Sequence, residues 1–380
     1  MLNVREIQTP AYICDIEAFK GNITDFRKAV NKYYPNYRMG YSYKTNYYPE
    51  FCKVVDKLGE CAEVVSPKEY HYAKELGVHD ENIIYNGVIP DFANKLNVAL
   101  NGGIVNIENL DEFKNFIDWS NNKQRKIEIG VRLNFDIGNG IVSRFGFDTE
   151  GDDFQFLLDK DNFPFITIKS VHCHISQARG LGYFRKRVQS MIKFADMLGA
   201  SIIDIGGNMF GRMDDFFKGQ YNEYVPTFEE YAEVIGTEMA KAYPNGEKLL
   251  ITEDGTPVVS NAMHLLATVI GVKKVQGKTF IVLDTKHEDV GASCICKSPS
   301  HQHYGKEKNF VENAVICGCS CVETDFLIRT YNGPANIGDK IFIRNIGAYS
   351  YNTTNNFITH GCRNVVQMKE IVFLNSNSFV

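Results

Sequence analysis

The chain has 380 residues, 44% hydrophobic and 23% charged, with a net charge of −5, which is enough to bury a barrel-sized core with a smaller unit beside it. The acidic balance and the lack of an Arg-rich run argue against nucleic acid as a partner, and no apolar run reaches membrane-spanning length. Met1–Glu6 lacks the apolar core of a signal peptide, so a cytoplasmic location and reduced thiols are expected for the ten cysteines.

In chain order, eight short β-rich runs stand out, most of them followed by a helical stretch. They are Gly40–Lys44, Cys61–Ser66, Ile83–Gly87, Ile104–Glu108, Glu128–Asn134, Ser170–His174, Ile202–Gly206 and Leu249–Glu253. Ser66-Pro67-Lys68-Glu69 predicts a helix start, with Ser66 as N-cap, Pro67 in the first turn and Glu69 closing a capping box; Gly77 ends that helix. Asn109 caps a second helix over Asn109–Trp119. Eight such alternations predict an α/β fold, a (β/α)8 TIM-like barrel, with a doubly wound sheet as the alternative.

Past residue 265 the pattern becomes alternating or β-branched. The runs Thr268–Val275, Thr279–Leu283, Ala314–Cys321 and Lys340–Ile346 predict a C-terminal antiparallel β-domain. The expected division is a barrel over 20–265, with 1–19 and 266–380 forming the β-domain. Lys297–Asn309 reads as a loop. Cys317, Cys319 and Cys321 alternate, so on a strand they would share one face. Cys294 and Cys296 with His301 and His303 match zinc spacings poorly, and no metal is expected.

Chemistry in such barrels gathers at the C-terminal strand ends. Here those ends carry Lys44, Glu63, Asn86, Glu108, Arg132, His174, Gly206 and Glu253. A lysine in partly apolar surroundings has a lowered pKa and suits a Schiff base with an aldehyde cofactor. Gly206-Gly207 lets backbone N–H groups approach a phosphate, or makes an ordinary tight turn. His172 and His174 share a strand face, as a metal pair or as a ring stacked on a planar cofactor. Glu253 could keep a pyridine nitrogen protonated, or cap a helix.

Ten motifs in order resemble the fold type III pyridoxal-phosphate decarboxylases, the group of diaminopimelate and ornithine decarboxylases. They are Tyr41-Ser42-Tyr43-Lys44-Thr45-Asn46, Glu63-Val64-Val65-Ser66, Asn86-Gly87, Asn106-Ile107-Glu108, Ser143-Arg144-Phe145-Gly146, His172-Cys173-His174-Ile175, Gly206-Gly207, Glu253-Asp254-Gly255, Cys321 with Asp325, and Gly347-Ala348-Tyr349. The resemblance runs from about Thr9 to Phe357 and implies an alanine racemase-like barrel binding pyridoxal 5'-phosphate. It implies Lys44 as the Schiff-base lysine, His174 on the ring face and Glu253 at the ring nitrogen. Gly206, Gly207 and Tyr349 would hold the phosphate, with Glu63 and Arg132 near the ring. Cys321 would supply a proton from the partner subunit of a head-to-tail homodimer with shared active sites. Glu323 and Asp325 would contact substrate beside it.

Several positions depart from the family pattern. Thr256 stands where an arginine is usual, Val322 where an acid is usual, Ser176 and Gln177 where glycine and serine are usual, and Asn208 in place of a third glycine. These departures predict a decarboxylase whose amino-acid substrate has an unusual, conjugated or carrier-bound distal group: a carboxylated polyamine, or a siderophore or antibiotic precursor. The alternatives are diaminopimelate decarboxylase of lysine biosynthesis and an amino-acid racemase on the same barrel.

Overall fold

The computed structural model describes residues 2–291 and 297–373. Eight strands, β1 (Tyr37–Ser42), β2 (Cys61–Val64), β3 (Ile83–Tyr85), β4 (Ile104–Ile107), β5 (Ile127–Asn134), β6 (Ile166–His172), β7 (Ile202–Asp204) and β8 (Leu249–Asp254), follow in chain order. Each pairs in parallel with the next, and β8 pairs back onto β1, which closes the barrel.

All eight predicted strands are present, with ends that differ by up to four residues. The helices between them start where local chemistry starts them. Ser66 accepts the Glu69 N–H at 3.2 Å and Asn109 accepts the Glu112 N–H at 2.9 Å, caps worth about 1 kcal/mol each. The helices run Pro67–Glu75 and Leu110–Lys123. Glu69 does not close the predicted capping box, because its carboxylate takes the Val65 N–H instead, at 2.9 Å.

Alternation along parallel strands sends every second side chain inward. Low in the barrel these are apolar: Cys61, Ile84, Ile202 and Ile251 form a buried cluster with Ile104 and Leu249 against it. One layer higher on the same rows stand Glu63, Asn86, Asn106, His172, Asp204 and Glu253, all buried. The change from apolar to polar along single strands is what puts a reactive floor at the C-terminal end.

The second unit is a mixed sheet built on the long strand Met263–Val275. That strand pairs antiparallel with Ala11–Cys14, Lys278–Leu283 and Lys340–Ile343. Two pairings are parallel, Lys278–Leu283 with Phe310–Cys317 and Ala11–Cys14 with Val365–Gln367, so the sheet is predominantly rather than wholly antiparallel. The predicted loop Lys297–Asn309 contains the strand His301–Tyr304, because this segment pairs with Lys340–Ile343 at the sheet edge. The strand expected to reach Cys321 ends at Cys317. Cys319 and Cys321 lie in the turn that follows, so the three thiols do not share a strand face.

The eight cysteines of the described residues are all unpaired. Cys294 and Cys296 lie outside the described residues. No helix among those residues is long and apolar enough to cross a membrane.

Candidate active site

The polar layer of the barrel opens into a cavity of about 360 Å³ at the C-terminal strand ends. Lys44, Glu63, Asn86, Arg132, His174 and Glu253 all line it, together with His172, Arg144 and Phe145. Six of the eight strand-end residues read from the sequence therefore meet in one place. Of the other two, Glu108 accepts from Arg132 at 3.3 Å and from the Gly146 N–H at 3.0 Å, which braces the wall.

Lys44 sits in the turn after β1. Its Nζ donates to Glu63 Oε2 at 2.7 Å, and Ser42 Oγ donates to the same oxygen at 2.5 Å. The other Glu63 oxygen accepts from Asn86 Nδ2 at 3.0 Å, and the same Asn86 nitrogen also donates to Glu253 Oε1. One amide thus links the two carboxylates of the site. Burial pushes the Lys44 pKa down as the sequence predicts, but Glu63 and then Glu253 outweigh it, so the pKa is raised and the amine is held charged. The expected lowering is corrected by this carboxylate pairing.

Glu253 lies on the floor. His172 Nε2 is 3.3 Å and His174 Nδ1 3.7 Å from its Oε2. Burial alone would raise the Glu253 pKa. The two imidazoles and Lys44 win, and it is held well below the usual carboxylate range. Behind it, burial and the Glu253 charge push Asp204 well above that range. The ligand atoms of His172, Asp204 and Glu253 all lie within 4.8 Å of one another, so one carboxyl keeps its proton while its neighbour stays ionised. Burial, aided by the Lys44 charge, lowers the His174 pKa, which leaves a neutral ring facing the cavity.

The Gly206-Gly207 turn has a steric reason of its own. Gly206 has φ +66, and a Cβ there would meet the Cys173 carbonyl at 2.2 Å; one on Gly207 would meet the Glu253 carbonyl at 2.1 Å. Their N–H groups donate to Asp204 at 2.9 Å and to His174 Nδ1 at 3.3 Å. Asn208, in the third glycine position, takes φ +76 and accepts from Arg179 at 3.1 Å. Tyr349 is partly exposed and close enough to Lys44 for its phenol to act on the amine's charge.

Cys321, Val322 and Glu323 do not line this cavity. They lie exposed on the turn before Phe326–Pro334. Asp325 is buried beneath it, accepting from the His287 N–H at 2.8 Å, the Ser320 N–H at 3.0 Å and Ser320 Oγ at 2.5 Å. Its carboxylate is committed to shaping the turn, which corrects the expectation of a substrate contact. Sequence reading missed Asp204, although alternation from Gly206 places it on the inward face, and gave no part to Ser42.

The profile of the family described as "Pyridoxal-dependent decarboxylase, pyridoxal binding domain" matches residues 20–260. The chain belongs to this family. The decarboxylase is similar along most of its length to curated relatives. It is 25% identical to the diaminopimelate decarboxylase of Methanocaldococcus jannaschii, over 96% of this chain and 88% of that protein. It is 26% identical to that of Aquifex aeolicus, over 90% and 82%. In fold it resembles the crystal structure of diaminopimelate decarboxylase from Helicobacter pylori complexed with L-lysine, with TM-score 0.81 at 20% identity, covering 98% of this chain and 94% of that one. The arginine decarboxylase of Paramecium bursaria Chlorella virus has TM-score 0.79 at 17% identity, covering 95% and 96%.

The decarboxylase is therefore a pyridoxal-phosphate-dependent enzyme that acts on an amino acid. The expectation of an unusual or conjugated distal group is corrected. The curated relatives that match along most of the chain are named for diaminopimelate, a free amino acid. Val322 carried part of that expectation, and it lies on an exposed turn outside the cavity of its own chain.

The site fits the cofactor. An amine opens onto a cavity of small-molecule size, an ionised carboxylate lies on its floor, and a flat neutral imidazole faces it. These are partners for an aldehyde, a pyridine nitrogen and an aromatic ring face.

Proposed function

We propose that the protein is a diaminopimelate decarboxylase, releasing carbon dioxide from meso-diaminopimelate to leave L-lysine. The observation that carries this reading is similarity to enzymes of that name over 90% or more of the chain, joined to a cavity whose amine, carboxylates and imidazoles suit the chemistry. When bound, the cofactor supplies the sink for the electron pair left as carbon dioxide departs.

The remaining work falls to the chain's own residues. Lys44 Nζ must give up a proton before it can attack an aldehyde, and Glu63 Oε2 at 2.7 Å is placed to take it. Glu253, kept ionised chiefly by His172 and aided by Lys44, would hold a proton on the ring nitrogen. His174 supports the ring face. Arg132 is held by Glu108 at 3.3 Å and lies 4.6 Å from the Phe145 ring, which sets the cavity wall beside the ring. Gly206, Gly207 and Tyr349 take the phosphate end, the two glycine N–H groups exchanging Asp204 and His174 for phosphate oxygens.

Cys321 returns a proton to the substrate carbon from the partner subunit of a homodimer, with Glu323 near the distal end of the substrate. Its exposure in the single chain supports this part. The barrel over 20–265 then binds cofactor, while 1–19 and 266–380 complete the neighbour's site. A cytoplasmic location accords with the unpaired cysteines. The test is release of carbon dioxide from meso-diaminopimelate with matching formation of L-lysine. Rescue of a lysine auxotroph by the gene checks the same reading in cells.

A further inference from the structure

The turn that carries Lys44 is gripped from outside the barrel. Asn352, in the segment after the last long strand of the β-sheet, inserts its amide between two backbone groups of that turn. Its Nδ2 donates to the Tyr43 carbonyl at 2.8 Å, and its Oδ1 accepts the Tyr47 N–H at 2.9 Å. The Tyr43 carbonyl belongs to the peptide bond that leads into Lys44. A carbonyl and an N–H four residues apart would pair directly in a helical turn. Here one amide width separates them, and only a side chain that both donates and accepts can fill the gap.

Two more bonds run between the same segments. The Tyr349 N–H donates to the Thr45 carbonyl at 2.9 Å, and Asn46 Nδ2 donates to the Gly347 carbonyl at 2.8 Å. The segment is itself anchored further on. The buried Lys286 ammonium donates to the Asn355 and Phe357 carbonyls at 2.7 and 3.0 Å. Asn352 therefore pulls against a fixed support.

We propose that Asn352 is a positioning residue that holds the Lys44 turn open, so that the amine stands against Glu63 and faces the cofactor's aldehyde. The turn's own bonds, Tyr41 Oη to the Asn46 carbonyl at 2.5 Å and the Tyr48 N–H to Asn46 Oδ1 at 3.0 Å among them, do not span from the Tyr43 carbonyl to the Tyr47 N–H. The Thr45 N–H to Ser42 carbonyl bond, at 3.0 Å, closes only the first half of the turn. Without Asn352 nothing separates the Tyr43 carbonyl from the Tyr47 N–H, and Lys44, which precedes the anchored Thr45 and Asn46, is the residue that shifts as they approach. The charged and titratable groups acting on the amine are Glu63, Glu253, the Tyr349 phenol and Glu69, with His174 near by and the Ser42 hydroxyl at 3.3 Å. A displaced Lys44 leaves the first of these.

The inference rests on Lys44 being the cofactor lysine and not on the identity of the substrate. Full-length protein freed of cofactor is mixed with pyridoxal phosphate over a range of pH. Capture is followed by borohydride reduction and peptide mass spectrometry in wild type, Asn352→Ala and Asn352→Asp. Asn352→Ala is expected to capture cofactor roughly ten- to a hundredfold more slowly, the scale of a misplacement of about 1 Å. Its pH midpoint for capture should fall as the amine leaves Glu63. Asn352→Asp, equal in size and keeping only the acceptor, should lie between, and it decides the matter if Asn352→Ala does not fold. Capture within about twofold of wild type at an unchanged midpoint overturns the proposal. Label on a peptide other than that of Lys44 in wild type overturns it through its premise, whatever the substrate is.

Discussion

Glu253 Oε2 stands 3.3 Å from His172 Nε2, and this contact keeps a fully buried carboxylate ionised. The second imidazole, His174, approaches the same oxygen from the cavity side at 3.7 Å. An acid that burial should neutralise is thereby available to hold a proton on a pyridine nitrogen.

Glu253→Gln removes that charge while keeping the shape. Carbon dioxide release should fall by about a hundredfold or more, the cost of deleting one preorganised electrostatic partner, while cofactor content measured on the purified protein stays near wild type. Equal loss of cofactor and activity would assign Glu253 to binding alone.

Asp254, next in the chain, gives a pH dependence of stability. Burial pushes its carboxyl up to about 7 from an ordinary value of 3.8. The folded state then holds a proton that the unfolded state has lost between those values. Stability from this group is complete below pH 3.8 and declines as pH rises to about 7. Asp254→Asn should flatten that decline, a difference on the order of a few kcal/mol, read from melting temperatures across pH 4 to 8.

Gly207→Ala should destabilise the protein by about 1–3 kcal/mol, as overpacking does, because the new Cβ would sit 2.1 Å from the Glu253 carbonyl. Since that carbonyl belongs to the floor residue, activity should fall by more than the folded fraction does. Denaturant melts and rates on the same samples separate the two.

A site shared between two subunits, as proposed, predicts complementation between two inactive variants. Lys44→Ala and Cys321→Ala, each silent alone, should recover about a quarter of the wild-type sites when equimolar amounts are unfolded together and refolded, about half of the dimers being mixed and each of these carrying one intact site. No recovery, from mixed dimers shown to form, would place both groups in one subunit.

How much of this was legible in the sequence depended on how local the signal was. The eight strands are short runs, seven of them carrying β-branched residues and the first aromatic, and the caps at Ser66 and Asn109 are local, so both were readable. The convergence of Lys44, Glu63, His174 and Glu253 follows from strand order and the position of strand ends. Three things are properties of the folded arrangement. The Lys44 charge depends on a carboxylate nineteen positions away. The Cys321 turn breaks strand alternation because Asp325 draws the backbone inward. Asn352 reaches a turn about three hundred residues earlier, and nothing near it in sequence marks that contact.

The most direct measurement is carbon dioxide release from meso-diaminopimelate by the purified holoenzyme, with Lys44→Ala as blank and L-lysine assayed in the same tube. Wild type should give equal amounts of carbon dioxide and L-lysine, and the variant none. Absence of release from protein that carries its cofactor would contradict the assignment to diaminopimelate.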